Sequence, residues 1–255
     1  MRPLLEVQGL ARNFGGVVAV RELDFVVEPG QIKAVIGPNG AGKTTVFNVI
    51  SGALPPTRGR VLLDGRPLPA GRPHAVAGRG VARTFQLVRL FGEMTVLEHV
   101  LVGCHRLGRA GWVACAVRTG GMRAEEARLR ASALEILDLV GLADRAQAPA
   151  ASLPYGEQRL VEVARAIAPT PRLLLLDEPG AGLGGPEHDR LAALIRTIRA
   201  RGTTILLVDH HIDFVLGLAD EVLVLSFGEK LAEGTPDAVR VHPDVVAAYL
   251  GTEAP

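Results

Sequence analysis

The chain has 255 residues, 48% of them hydrophobic, with 28 Lys or Arg against 27 Asp or Glu and a formal net charge of +1. That length and apolar content suffice to bury one large core, alone or with a lobe inserted in it. A balance so near neutral gives no long-range attraction to nucleic acid, and no apolar run approaches the ~20 residues that span a bilayer. With Met1-Arg2-Pro3 leading straight into strand-like sequence, a cytosolic chain without a nucleic-acid partner is expected.

Residues 4–27 alternate as LLEVQGL and LDFVVE around Gly15-Gly16, the pattern of short antiparallel strands. Phe14 at the hairpin tip suits either a face for stacking on an adenine or a place in the core. QIKAVI (31–36) then reads as a buried strand and TTVFNVISGAL as a helix with Val46, Val49 and Ile50 at helical spacing. Between them GPNGAGKTT fits G-x-x-x-x-G-K-[ST]. Gly37, Gly40 and Gly42 let the backbone of Gly37-Pro38-Asn39-Gly40-Ala41-Gly42 curl into a nest of N–H groups, and the helix N-terminus adds partial positive charge. Lys43 is placed to reach terminal phosphates and the Thr44 hydroxyl to ligate Mg²⁺, with Thr45 the last of the nucleotide-binding residues of the motif.

RVLLDGRPL carries an Asp64-Gly65 hairpin signal, and VARTFQ ends an apolar run at Gln86. Residues 95–168 have helical texture. In EEARLRASALEILDLVGL, Leu129, Ala133, Ile136, Leu137 and Val140 share a face, with Gly141 as the C-cap. Cys104 and Cys115 lack metal or redox spacing and read as two semi-buried thiols, and Trp112 sits in a short apolar segment suited to packing or to a partner. From RLLLLDE onward, short apolar strands alternate with helices: one around 186–201, TTILLVDH, a helix from about 211, EVLVLS, a turn at FGEK and a C-terminal helix. The class is therefore α/β, a parallel nucleotide-binding sheet with core about 1–86 and 165–255 and a helical insert about 87–164.

Asp177 and Glu178 follow four leucines at a strand's C-terminal end, where ligands collect in open α/β sheets. Phosphoryl transfer to water needs a carboxylate in the Mg²⁺ shell and a group that orients or deprotonates the water, roles that fit Asp177 and Glu178 respectively. His210, after the next strand, is placed to register a γ-phosphate.

These features in this order resemble the ATP-binding subunits of ABC transporters over essentially the full chain. Gly37–Thr45 matches that family's Walker A motif, Gln86 its Q-loop, Leu153-Pro154-Tyr155-Gly156-Glu157 its signature, Leu173–Asp177 with Glu178 its Walker B motif, and His210 its switch histidine. LPYGEQRLVEVARAIAPTPRLLLLDEPGAGL and AEGTPDAVRVHPDVVAAYLG are similar to the LivG-type subunits of branched-chain amino-acid importers. The resemblance implies a P-loop NTPase core of the RecA-like kind with an N-terminal antiparallel β-subdomain and an inserted helical subdomain. It implies ATP and Mg²⁺ as cofactors, Gln86 in the metal shell and near the catalytic centre, and Tyr155, Gly156 and Glu157 facing a second subunit's nucleotide. It also implies permease subunits docking near Gln86 and Leu90-Phe91, a solute-binding protein acting indirectly, and a place on the inner face of the cell membrane. Pro154 and Tyr155 stand where the family's LSGGQ has serine and glycine, and Gly184 where its D-loop has aspartate. The lost serine favours a heterodimer with a second ATPase that carries an intact signature. Two other readings of the same motifs are a lipopolysaccharide-export ATPase and a soluble ABC clamp on ribosomes or DNA.

Overall fold

The computed structural model describes residues 2–85, 90–105 and 120–250, which divide into two compact units. Gln86, Trp112 and Cys115 lie outside the described residues.

The first unit comprises residues 1–83, 172–181 and 195–255 and holds two sheets. In the antiparallel sheet, β1 (Leu5–Phe14) pairs with β2 (Val17–Val27) on one side and β4 (Arg58–Leu63) on the other, once the central strand β3 (Ile32–Ile36) of the second sheet has been passed. Leu5, Val7 and Leu10 all face inward although the last step is three residues long. A bulge accounts for this: the β1–β2 register shifts between Val7 and Leu10, Gly9 takes a φ of 55°, and the Asp24 carboxylate accepts the Gly9 N–H at 2.7 Å. The Asp64-Gly65 turn joins β4 to the short β5 (Arg66–Pro67), as its sequence signals.

The second sheet has the order β10-β9-β3-β8-β7-β6, with β6 (Val81–Arg83), β7 (Leu173–Asp177), β8 (Thr204–Val208), β9 (Glu221–Ser226) and β10 (Glu229–Gly234). All its pairings are parallel except β9–β10. Strands β3, β7 and β8 are buried along their whole length, which explains why they read as unbroken apolar runs rather than alternating ones. Phe47 and Ile50 of the helix Lys43–Ile50 fill the space between the sheets with Leu5, Leu10, Leu175, Leu206 and Leu223. Lys33 brings a charge into that interior. The fully buried Lys33 ammonium on β3 donates to the Val26 carbonyl at 2.8 Å and to Glu221 at 2.9 Å, and also pairs with Glu233. The β10 strand and the helix Pro236–Arg240 replace the direct passage from the FGEK turn to a terminal helix that the sequence pattern signals. β10 is a half-exposed edge strand rich in charge, and its alternation is correspondingly faint.

The second unit comprises residues 84–171 and 182–194. Its helix Val96–Cys104 opens with a reciprocal cap: Thr95 Oγ1 accepts from the Glu98 N–H, and the Glu98 carboxylate accepts from the Thr95 N–H at 2.7 Å. It packs against the helices Gly120–Leu139 and Tyr155–Ile167. Ala133, Leu137 and Val140 are buried while Arg128, Glu135 and Asp138 are exposed, as the 3.6-residue period requires. Gly141 follows at a φ of 71°, the left-handed cap conformation. Cys104 is buried and its thiol pKa is raised by that burial.

Candidate functional site

The chain turns sharply out of β3 because glycine alone fits there. A side chain at Gly37, φ 150°, would place its Cβ 2.1 Å from the Leu225 carbonyl oxygen, and one at Gly42, φ 100°, would place it 2.5 Å from the Ala19 carbonyl oxygen. The loop is thus pressed against the backbones of β9 and β2, while Asn39 and Gly40 at its crest stay exposed. Gly228, in the β9–β10 turn, donates its N–H to the Ala41 carbonyl at 3.1 Å. The result is a concave strand–loop–helix cradle at the N-terminus of Lys43–Ile50.

Lys43 is 6% exposed, and its ammonium donates to the loop carbonyls of Gly37 and Pro38 at 2.6 and 2.9 Å. Burial pulls its pKa below the usual lysine value, and the nearby Glu178 and Asp177 carboxylates act against that pull. A desolvated cation resting on two loop carbonyls suits an anionic ligand that would draw it outward. Thr44 is exposed on the first turn and Thr45 half-buried. Phe14 ends β1 at 44% exposure with the Arg12 guanidinium 4.7 Å from its ring centre, so of the two readings of this residue the core one does not hold.

Strands β3, β8 and β7 are neighbours, and their C-terminal ends bring the other residues of this unit to one edge. Val208 pairs with Val35 on one side and Asp177 on the other. Glu178, just past Asp177, is held at a φ of 48° with its N–H donated to the Val208 carbonyl at 2.7 Å. A non-glycine residue in that region is strained, and such strain gathers at functional sites. Its Oε1 lies 2.7 Å from His210 Nε2. Asp209, which sequence reasoning passes over beside the two histidines, braces both loops: its carboxylate accepts the N–H of Gly180 at 2.9 Å and of His211 at 3.0 Å. Arg83 is the second residue missed, and it binds Asp177 at 2.8 Å. Its one sequence signal is a cation inside the apolar run VARTF.

In the second unit, Tyr155, Gly156 and Glu157 form the first turn of Tyr155–Ile167, with Pro154 at the N-cap. Gln158 Nε2 donates to the Leu153 carbonyl at 2.8 Å. A Cβ at Gly156 would meet Glu187 Oε1 at 2.3 Å, so a larger residue there would make the Glu187 carboxylate shift, and Glu187 Oε2 accepts the Gly184 N–H at 2.8 Å. The Tyr155 ring lies against Gly182 and beneath Arg159, whose guanidinium is 5.4 Å from the ring centre. Glu157 lies 4.0 Å from Arg145.

A cradle for phosphate, a carboxylate pair at a strand end and a histidine on the second carboxylate define a P-loop ATPase of the ABC class. The family model for ABC transporters matches residues 20–181, and the chain belongs to the ATP-binding proteins of that family. A second model, branched-chain amino acid ATP-binding cassette transporter, matches residues 229–255. Among curated proteins, the chain is 44% identical to the high-affinity branched-chain amino acid transport ATP-binding protein BraF of Pseudomonas aeruginosa, over 98% of each chain. It is 43% identical to the corresponding protein LivG of Escherichia coli K12, again over 98% of each. Among solved structures, an ABC transporter ATP-binding cassette in its ADP conformation superposes with a TM-score of 0.86 at 30% identity, covering 98% of this chain and all of that one. A nucleotide-free cassette gives 0.84 at 30% identity, over 97% and 99%. The α/β fold with a separate antiparallel sheet agrees with these relatives and with the sequence pattern.

Proposed function

We propose that the chain is the ATP-hydrolysing subunit of a membrane importer, with branched-chain amino acids or related small polar solutes as cargo. The observation that carries the reading is the strained Glu178 held 2.7 Å from His210 at the strand edge where the Lys43 cradle opens. In this reading Gly37–Thr45 wraps the phosphates, Lys43 neutralises their charge, and Phe14 stacks on the adenine. Thr44, Asp177 and Gln86 would hold Mg²⁺, which when bound would neutralise charge on the β- and γ-phosphates. Glu178 orients and deprotonates the attacking water, and His210 fixes that carboxylate while contacting the γ-phosphate side. Tyr155, Gly156 and Glu157 close on the nucleotide of a second ATPase subunit. The core at about 1–86 and 165–255 and the insert at about 87–164 make one cassette. It sits in the cytoplasm against the inner face of the membrane, on permease subunits fed by a solute-binding protein.

The signature's missing serine supports a heterodimer. A hydrogen bond to a charged phosphate is worth about 1.5–3 kcal/mol, so a site closed by Pro154 and Tyr155 should turn over roughly tenfold or more slowly than one closed by an intact signature. The test is to reconstitute both ATPase subunits with permease and solute-binding protein and follow solute-stimulated ATPase. Glu178→Gln should leave ATP binding intact and remove most of the turnover, by roughly 10²–10⁴-fold at its own site. The matching change in the partner should remove less. Equal losses would refute the asymmetry, and absence of solute stimulation would refute the importer.

A further inference from the structure

Arg83 ends β6 one strand outside β7, level with Leu175 and two residues short of Asp177. Its side chain is 9% exposed. Nη1 donates to Asn48 Oδ1 at 2.7 Å and to Ser51 Oγ at 3.0 Å, and Nη2 donates to Asp177 Oδ2 at 2.8 Å. Asn48 belongs to the helix that leaves the P-loop and Ser51 caps its end. The guanidinium also lies 5.9 Å from the centre of the Phe47 ring. One buried cation therefore grips the helix carrying Lys43 and Thr44 at one end and the strand-end carboxylate at the other.

A guanidinium is planar, permanently charged and directional at its two terminal nitrogens, and a lysine ammonium could not make the same fork. Its hold on Oδ2 restrains the rotation of the Asp177 carboxylate. The charge beside the carboxylate also weakens its pull on any second cation. We infer that Arg83 is a positioning residue for ATP hydrolysis: it registers Asp177 to the P-loop helix and, by partly neutralising that carboxylate, keeps the grip on the nucleotide's divalent cation loose. The inference rests on the proposed assignment of Asp177 to that cation.

The experiment separates charge from geometry. Binding of a fluorescent ATP analogue to the purified full chain is titrated with Mg²⁺ without turnover, and kcat is measured in the reconstituted complex. Arg83→Gln should lower the Mg²⁺ concentration for half-maximal binding by about tenfold, because a unit charge beside the carboxylate is gone, while kcat falls by a similar factor. Arg83→Lys should keep the wild-type Mg²⁺ dependence and still lose kcat, since the charge remains and the fork does not. An ion pair that merely holds the fold together would lower the thermal midpoint and leave the Mg²⁺ dependence of Arg83→Gln unchanged, and that result overturns the proposal. Should Arg83→Gln fail to fold, Asn48→Ala removes one anchor and keeps the charge. Several-fold lower kcat at unchanged Mg²⁺ dependence then supports the proposal, and wild-type kcat overturns it. Lys43→Ala, run in parallel, reports on the P-loop assignment itself: loss of analogue binding there with no Arg83 effect refutes the Arg83 role alone.

Discussion

Replacing Gly37 and Gly40 separately by alanine weighs two contributions that glycine makes to the same loop. Both positions have positive φ, 150° and 80°, so either alanine carries the backbone strain of an L-residue in that region, about 1–2 kcal/mol. Only Gly37 is also crowded: its added Cβ would lie 2.1 Å from the Leu225 carbonyl oxygen and 3.2 Å from the Ala41 Cβ, whereas nothing lies within 4 Å of one at Gly40. The obstacle at Gly37 is the backbone of a buried strand that cannot swing aside, which adds overpacking of about 1–3 kcal/mol. Gly40→Ala should therefore lower the thermal midpoint by about 2–8 °C and Gly37→Ala by roughly twice that, at about 2–4 °C per kcal/mol for a chain of this size. Calorimetry without nucleotide gives the stability loss, and titration with a fluorescent ATP analogue shows whether the loop still binds. Gly37→Ala should bind nucleotide poorly even well below its midpoint, because relieving the clash pulls the first residue of the cradle away from β9. Equal midpoints for the two variants, or wild-type affinity in Gly37→Ala, would show that the loop is not braced against β9 as described.

Lys43→Ala should weaken ATP binding and turnover together, since a buried ammonium aimed into the cradle serves bound phosphate before any chemistry; equal ATP affinity in mutant and wild type, by equilibrium titration, contradicts this. His210→Ala frees the Glu178 carboxylate from its 2.7 Å partner and should slow single-turnover hydrolysis with ADP affinity unchanged, whereas lost ADP binding would make His210 structural. His99 gives a pH signature. It is fully buried, its Nε2 accepts the Phe91 N–H at 2.9 Å and its Nδ1 faces the Thr95 carbonyl at 2.9 Å, so the neutral ring donates through Nδ1. Burial lowers its pKa in the fold, with Arg165 adding to the shift and the Thr95 carbonyl and Glu98 opposing it. The unfolded chain, with its histidine near about 6.5, then binds more protons than the folded one, and stability falls as pH drops below that value. Midpoints measured from pH 7.5 to 5.5 should fall more steeply for wild type than for His99→Asn, and parallel curves would refute the assignment.

How much of this was legible in the sequence depends on the range of the interactions involved. The P-loop is local: its glycines, lysine and flanking strand and helix lie within about twenty residues, and each leaves its own mark in composition or spacing. The helix ending at Gly141 is legible for the same reason. Strand β10 and the short helix Pro73–Gly78 are not, because one is a charged edge strand and the other buries only Val76, so neither shows a period. The Glu178–His210 pair can be expected from the motif order, but the left-handed backbone at Glu178 cannot. Arg83 and Asp209 act across strands far apart in sequence, and nothing near either residue announces the partner. Phe14 shows the same limit. Its aromatic character is visible in the sequence, and its exposure is decided by the bulged hairpin that carries it.

The buried ammonium of Lys33 sets the order in which this chain can mature on the ribosome. Lys33 lies on the strand that leads into the phosphate loop and is made early, yet the carboxylates that neutralise it, Glu221 and Glu233, are translated about 190 to 200 residues later. Strand β9, which completes the pairing of β3, arrives in the same late stretch. Until then an isolated ammonium would have to enter an apolar interior, which costs several kcal/mol, so the nascent N-terminal segment should stay open around a hydrated lysine. Nucleotide binding should therefore appear only after the chain past Glu233 has cleared the exit tunnel. A polypeptide stalled earlier would present the apolar face of β3 to chaperones, with its phosphate loop not yet formed.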